Sequence, residues 1–242
     1  MNSLCPRAAP RASFTLIELL TVIAVIAILA ALLIPAVTFA QRANGTVASA
    51  ANLRQLGAAI LSFASDNNNH PPASNNGGIT WDSRIFPYVN LGPAGGTPRA
   101  TGVTIFAARN DNTQTVTAGS YKRSYAMVVA TSGTAATTSP LLNNSGTSST
   151  IYVQPLTAIQ WPAETLLLTE YPGFSGNTVS GTNYYAVNNP TQQASAVSNL
   201  NIGGKFNYLF YDGHVDLLLQ SQTYGTGSAS SPHGGWTLTP LQ

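Results

Sequence analysis

The sequence predicts an α+β protein in which one long N-terminal helix, first transmembrane and then amphipathic, packs on a small antiparallel β-sheet head with long polar loops. Three observations predict this class. Residues 14–37 contain a single charged residue, Glu18, and are otherwise almost entirely apolar. Apolar residues then recur at helical spacing up to residue 63. The remainder alternates short apolar runs with stretches rich in Ser, Thr, Gly and Asn.

The apolar segment over residues 14–37 predicts a single membrane-spanning helix. About 20 apolar residues suffice to cross the hydrocarbon core of a bilayer. This segment exceeds the apolar region of about 7–15 residues in an ordinary secretory signal, which favours a retained anchor. Arg7 and Arg11 lie in the short segment before it. By the positive-inside rule, residues 1–13 are expected to form a cytoplasmic leader, with the bulk of the chain on the other side of the membrane.

Glu18 is the informative exception within this segment. An ionisable residue inside a membrane costs about 2–3 kcal/mol or more and indicates a function that involves a partner. A cationic group on a partner would satisfy the carboxylate. The plainer hypothesis is a simple signal anchor whose glutamate reaches the membrane interface.

The run Phe14–Leu20, preceded by a basic leader and followed by Pro35, resembles the N-terminus of type IV pilins and type II secretion pseudopilins. The resemblance implies that a prepilin peptidase cleaves between Ser13 and Phe14 and methylates the new amine. It also implies that Glu18 pairs with the N-terminal amine of a neighbouring subunit. Ser13 stands where the family usually has glycine, and because serine is also small we expect cleavage to proceed, more slowly.

The resemblance further implies a structural subunit without catalytic activity. It would lie in the bacterial cytoplasmic membrane, with its head periplasmic or extracellular, and would enter a filament after processing. Its partners would be prepilin peptidase, other copies or other pilin-like subunits, an inner-membrane assembly platform and the lipid bilayer. A retractable pilus and a secretion pseudopilus both fit, as do major and minor subunits. The alternative is a membrane-anchored extracytoplasmic binding module, for example for carbohydrate, that does not polymerise.

Residues 38–68 are predicted to continue as an amphipathic helix. Leu53, Leu56, Ile60 and Phe63 share one face, whereas polar residues including Arg54 lie off it. Pro35 lacks a backbone N–H group and is expected to kink the helix. The run Asp66–Pro72, which holds three asparagines and two prolines, is expected to end the helix.

Residues 69–242 are predicted to form the β-rich head. Residues 81–89 favour a short helix or turn, and 131–150 a polar loop; residues 173–204 are likewise expected to be rich in loops. Short strands are predicted at 103–107, 124–131, 151–153, 165–171 and 184–187.

The strongest local signal in the head is Asp212-Gly213 between two apolar runs, 206–211 and 214–219. It predicts a hairpin with a two-residue type I′ turn. In that register Phe210 lies opposite Val215, and Tyr208 opposite Leu217. The side that carries Phe206, Tyr208 and Phe210 is expected to face the N-terminal helix near Ile60 and Phe63.

Two internal segments, 123–127 and 161–166, together with this hairpin extend the resemblance. They are similar to prepilin-type proteins of planctomycete-like and verrucomicrobium-like bacteria, whose C-terminal regions carry Phe-x-Asp-Gly-His-Val. Many of those proteins have a histidine ten residues before the aspartate. Here that position is Ile202, so a function tied to that histidine is not expected to carry over.

Composition narrows the function further. Charged residues make up 7% of the chain, against about 25% in typical globular proteins. Loss of Arg7 and Arg11 with the leader leaves eight basic residues against eight acidic ones. No basic cluster marks a nucleic-acid surface. The one cysteine, Cys5, lies in the leader, so the processed chain would have no intrachain disulfide.

No cofactor is expected, and the chemical motifs in the head are weak. Asp212 and Asp216, with His214 between them, are weak candidates for calcium ligands. We predict that the turn separates Asp212 from the other two, and few acidic residues are present to complete a site. His70 and His233 are expected to be solvated loop residues. Five tyrosines are expected to pack on the sheet rather than form a sugar platform: Tyr171, Tyr184, Tyr185, Tyr208 and Tyr211.

Overall fold

The computed structural model describes residues 15–98, 103–111, 120–129, 153–172, 176–181, 186–187, 189–194, 202–226 and 236. The chain divides into two compact units, residues 1–41 and 42–242. Helix α1, Leu16–Asp66, contributes residues to both. Ser13 and Phe14 lie outside the described residues.

The helix ends where the sequence predicts. It terminates at Asp66, and Asn68 and Asn69 then adopt positive φ angles of 53° and 60°. Asparagine tolerates this left-handed conformation better than most residues. The helix therefore closes in the asparagine run, before the two prolines that follow His70.

The part of α1 after residue 41 is amphipathic, as predicted. Leu53, Leu56 and Ile60 are fully buried, and Phe63 packs partly buried against the same core. Arg54, Gln55 and Ser62 are exposed. Burial of this apolar face, at about 25 cal/mol per Å² of apolar surface removed from water, stabilises the helix on the sheet.

In the part of the head that the structure describes, five strands form one sheet. They are β3 (Tyr125–Val128), β4 (Leu166–Glu170), β5 (Ala186–Val187), β6 (Phe206–Phe210) and β7 (Val215–Leu218), arranged in the order β5-β3-β4-β6-β7. Neighbours are antiparallel except β3 and β5, which are parallel. The predicted antiparallel sheet is therefore mixed at one edge.

Smaller elements surround this sheet. A separate two-stranded ladder joins β1 (Asn75–Asn76) to β2 (Ile79–Thr80). It is followed by α2 (Trp81–Arg84) and a 3₁₀ helix (Phe86–Val89), which confirms the predicted helix or turn. The remaining elements described are α3 (Pro190–Ala194) and 3₁₀ turns at Val103–Phe106, Leu156–Ala158, Ile202–Gly204 and Gln220–Gln222.

Most predicted strands are present, but the one at 103–107 is wrong. Val103–Phe106 is a 3₁₀ helix, and buried Phe106 packs edge-on against Trp81 and Phe86 at centroid distances of 6.0 and 6.2 Å. A short apolar run does not distinguish a strand from a buried turn of helix. Predictions at 131–150, 151–152 and 184–185 lie outside the described residues.

The predicted hairpin forms, but its register differs by one residue. Leu209 pairs with Val215 and Tyr208 with Asp216. The Gly213 N–H donates to Phe210 O at 3.0 Å, and Gly213 alone of the Asp-Gly pair has a positive φ, 91°. A type I′ turn needs positive φ at both residues, so the connection is instead a three-residue loop with glycine at its last position.

The shifted register changes which side chains of β6 and β7 lie opposite each other. The face of β6 that contacts α1 is also the reverse of the predicted one. Leu209 lies in the core that contains Leu53, Leu56 and Ile60. Phe206, Tyr208 and Phe210 lie in a second core with Trp236, on the other face of the sheet. Gly57 allows the close approach, because a Cβ atom there would lie 3.0 Å from Leu209 Cδ2.

Two buried tyrosines provide a matched test of this packing. We expect Tyr211→Phe to stabilise the head by about 1 kcal/mol, because its buried hydroxyl has no hydrogen-bond partner among the described residues. Tyr208→Phe should instead destabilise it by about 1–2 kcal/mol, because its hydroxyl donates to Gln193 Oε1 at 2.6 Å. Denaturant unfolding of the full chain in detergent measures both. Equal changes in the free energy of unfolding from the two substitutions would contradict the difference in hydrogen bonding between the two hydroxyls.

Candidate functional site

The N-terminal part of α1 exposes a continuous apolar surface. It is the one helix in the described part of the chain that is long and apolar enough to cross a membrane. Every residue from 15 to 42 is exposed. Large apolar side chains cover it: Leu16, Ile17, Leu19, Leu20, Val22, Ile23, Val25, Ile26, Ile28, Leu29, Leu32, Leu33, Ile34, Val37 and Phe39. A soluble protein rarely exposes so large an apolar patch, which therefore requires lipid or other helices around it.

Glu18 forms a capping box with Thr15 at the start of this helix. The Thr15 N–H and Oγ1 donate to Glu18 Oε2 at 2.9 and 2.7 Å, while the Glu18 N–H donates to Thr15 Oγ1 at 3.3 Å. This reciprocal arrangement satisfies backbone N–H groups at the helix start that have no helical partner. The carboxylate is thereby held at the start of the described helix, four residues in sequence after Phe14, whose amine would be freed by the predicted cleavage.

Pro35 lies inside the continuous helix. Proline cannot donate the hydrogen bond that the carbonyl of residue 31 would otherwise accept. Thr38 Oγ1 donates to Pro35 O at 2.9 Å, a local contact in the following turn. The predicted kink at Pro35 stays a prediction.

A buried carboxylate joins α1 to the head. Glu170 on β4 is fully buried and accepts a hydrogen bond from Ser49 Oγ on α1. Its other oxygen accepts from the Asn207 N–H at 2.7 Å, and Asn207 Nδ2 donates to Thr46 O on the helix at 3.1 Å. A buried charge is tolerated only when it is hydrogen-bonded in this way. The network therefore fixes the axial position of α1 on the sheet.

A second buried cluster of charged side chains lies in the head. Arg123 Nη1 lies 3.0 Å from Asp82 Oδ2, and neither side chain is exposed to solvent. The guanidinium also donates to Asn177 Oδ1 and Gly181 O, each at 3.0 Å. The Ser180 N–H donates to the same Asp82 oxygen at 2.7 Å. The pair thus ties α2 to the turn at residues 177–181.

The hairpin tip brings the predicted metal candidates close together. His214 Nδ1 lies 2.5 Å from Asp212 Oδ1, and His214 Nε2 lies 3.8 Å from Asp216 Oδ2. The prediction that the turn separates Asp212 from His214 is therefore wrong. No group of three or more His, Cys, Asp or Glu residues suited to a metal occurs in the described ranges. Calcium at Asp212 and Asp216 stays a prediction.

The other residues considered from the sequence are mostly structural. Tyr171, Tyr208 and Tyr211 are buried, which confirms their packing role, while Tyr184 and Tyr185 lie outside the described residues. Burial raises the pKa of Tyr211 above its usual range. His70 is exposed, as predicted, and His233 lies outside the described residues.

A groove of about 530 Å³ runs beside the exposed face of α1 in the head. Its walls are the polar side of the helix and the two 3₁₀ helices after α2. Its lining residues are Asn52, Gln55, Ala58, Ala59, Ser62, Tyr88, Val89 and Ile105. The hydrogen-bonding side chains among them are all uncharged amides or hydroxyls.

Sequence reasoning missed the buried clusters, the capping box and this groove. The sequence does contain a pattern that predicts the capping box, since Thr-x-x-Glu before an apolar run is typical of a helix start. Arg123 lies in segment 123–127, which the family resemblance covers, but the sequence assigned no role to this arginine. Glu170 carried no local signal, because its partners Ser49 and Asn207 are distant in sequence.

Comparison with known proteins gives one result. Residues 9–34 match the family model of the prokaryotic N-terminal methylation motif. The comparisons with curated proteins and with solved structures found no match. The match spans both sides of the predicted cleavage site and most of the exposed apolar segment. The motif and the apolar helix indicate membrane anchoring, and they support placing the chain in a type IV pilin-like family, whose members are structural.

Proposed function

We propose that the protein is a pilin-like or pseudopilin subunit that prepilin peptidase cleaves between Ser13 and Phe14 and that then assembles into a filament. The observation that carries the proposal is the methylation motif over residues 9–34, joined to an exposed apolar helix with one carboxylate. Such a helix is stable in a bilayer and equally stable when surrounded by other apolar helices. The same surface therefore serves the membrane-bound and the assembled state.

The roles of the individual residues follow from this proposal. Glu18 is the counter-ion for the Phe14 amine of a neighbouring subunit, and the capping box with Thr15 presents its carboxylate at the helix start. The apolar surface to Pro35 forms the filament core. The Glu170 network couples the part of α1 after residue 41 to the sheet, so that this part of the helix and the sheet move together.

A filament-recovery experiment tests the proposal. The tagged chain is expressed with an assembly platform, with and without active prepilin peptidase, and sheared or secreted filaments are pelleted. Recovery in the pellet only when the peptidase is active supports the proposal. A chain that stays entirely in the membrane fraction under both conditions, with intact platform components, refutes assembly.

A further inference from the structure

We propose that the groove beside α1 binds a neutral, hydroxyl-rich ligand, namely a short stretch of uncharged glycan. This would be a binding function separate from assembly, because the described lining of the groove comes from the part of α1 after residue 41 and from the head, and includes no residue of the apolar segment. Its volume of about 530 Å³ is within the range of about 300–1,000 Å³ typical of ligand pockets.

The chemistry of the lining selects the ligand class. Asn52, Gln55, Ser62 and Tyr88 supply hydrogen-bonding groups, and Ala58, Val89 and Ile105 supply apolar surface. Among the residues that the structure describes, no lining residue carries a charge. An anionic or cationic ligand would lose its hydration without gaining an opposite charge. A sugar presents paired hydroxyls beside apolar C–H faces, which matches this mixture of amides, hydroxyls and apolar side chains.

Parts of the groove are held in place before any ligand arrives. Tyr88 OH donates to Asp66 Oδ2 at 2.9 Å, and its ring packs edge-on against Phe63 at a centroid distance of 5.9 Å. Asn52 Nδ2 donates to Ala107 O at 3.2 Å. Ordered side chains lose less entropy on binding than mobile ones. This arrangement therefore lowers the free-energy cost of binding, which helps a ligand that makes only weak contacts.

Gln55 is the side chain best placed to contact a ligand. It is exposed and lines the groove, and its side-chain amide forms no hydrogen bond with any described residue. An amide offers both donors and an acceptor, as required by a hydroxyl pair. The neighbouring Arg54 is also exposed on α1 but does not line the groove, so it provides a matched control position.

A helical peptide fits the groove less well. Helix-binding grooves are lined by continuous apolar surface that receives anchors at i, i+3 and i+7. Here half of the described lining residues present amides or hydroxyls. We therefore do not propose a segment of a second copy as the occupant, and the experiment below distinguishes it from a glycan.

The test uses the full chain in detergent micelles and three neutral trisaccharides, maltotriose, cellotriose and chitotriose, with tri-galacturonate as the charged comparison. Binding is measured by ligand-observed NMR up to about 20 mM, which covers a millimolar Kd. We expect at least one neutral trisaccharide to bind. Gln55→Trp, which fills the groove, should weaken that binding at least about tenfold, whereas Arg54→Trp should leave it unchanged.

The outcomes separate the alternatives. Unchanged melting temperatures in Gln55→Trp and Arg54→Trp establish that both variants fold, and Ser62→Trp provides a second groove-filling variant. Binding of tri-galacturonate alone, binding that survives both groove-filling substitutions, or no binding of any neutral trisaccharide would overturn the proposal. Self-association that Gln55→Trp abolishes, without sugar binding, would assign the groove to a second copy and also overturn it.

Discussion

Glu18→Gln is expected to reduce filament recovery by about 100-fold or more while the chain remains anchored in the membrane. The substitution keeps the size of the side chain and its ability to cap the helix with Thr15, since glutamine also serves at this position of a capping box. It removes only the charge. In the proposed filament, the Phe14 ammonium of the neighbouring subunit would then be buried without a counter-ion, which costs about 3–5 kcal/mol.

The control is Leu19→Ala, which trims the same exposed apolar segment without changing a charge. We expect it to retain most of the filament yield. Filaments are sheared, pelleted and quantified against the membrane fraction, and cleavage is monitored in parallel to separate processing from assembly. Wild-type yields of filaments from cleaved Glu18→Gln subunits would contradict the role assigned to Glu18.

Asp82→Ala is expected to destabilise the head by about 3–5 kcal/mol. The substitution leaves the fully buried Arg123 guanidinium without the carboxylate that lies 3.0 Å from it. The Ser180 N–H also loses its acceptor. Removal of one partner of a buried ion pair is costly because the remaining charge is neither hydrated nor neutralised.

Denaturant unfolding of the full chain in detergent measures this effect. Asp216→Ala is the matched control, because its side chain is largely exposed and its nearest ionic contact, to His214, is 3.8 Å; it should change stability by no more than about 0.5 kcal/mol. The double variant Asp82→Ala with Arg123→Met should be more stable than the sum of the two single changes predicts. Additive losses would show that the two residues do not act as a pair.

The sequence predicted the features that depend on local pattern. The apolar segment, the amphipathic continuation and the end of the helix at Asp66 each follow from composition and spacing within a few turns. The hairpin at Asp212-Gly213 follows from turn chemistry. Glu18 stood out for the same reason, as a charge where none is expected.

Features that depend on distant contacts were not predictable. The hairpin register is set by whether Asp212 adopts positive φ, and a one-residue shift exchanged the faces that contact α1. Leu209, rather than Tyr208, reaches the helix because Gly57 leaves room for it. Glu170 and the Asp82–Arg123 pair depend on partners dozens of residues away, which no single-sequence pattern connects.

Processing before Phe14 is the central claim, and one measurement tests it directly. The N-terminal residue and intact mass are determined for the protein recovered from its native membrane fraction. We predict a chain that begins at Phe14, is one methyl group heavier than its sequence, and has no reactive thiol because Cys5 has left with the leader. A chain that begins at Met1 and still carries Cys5 would contradict the account, and the protein would then be a permanent anchor for its head.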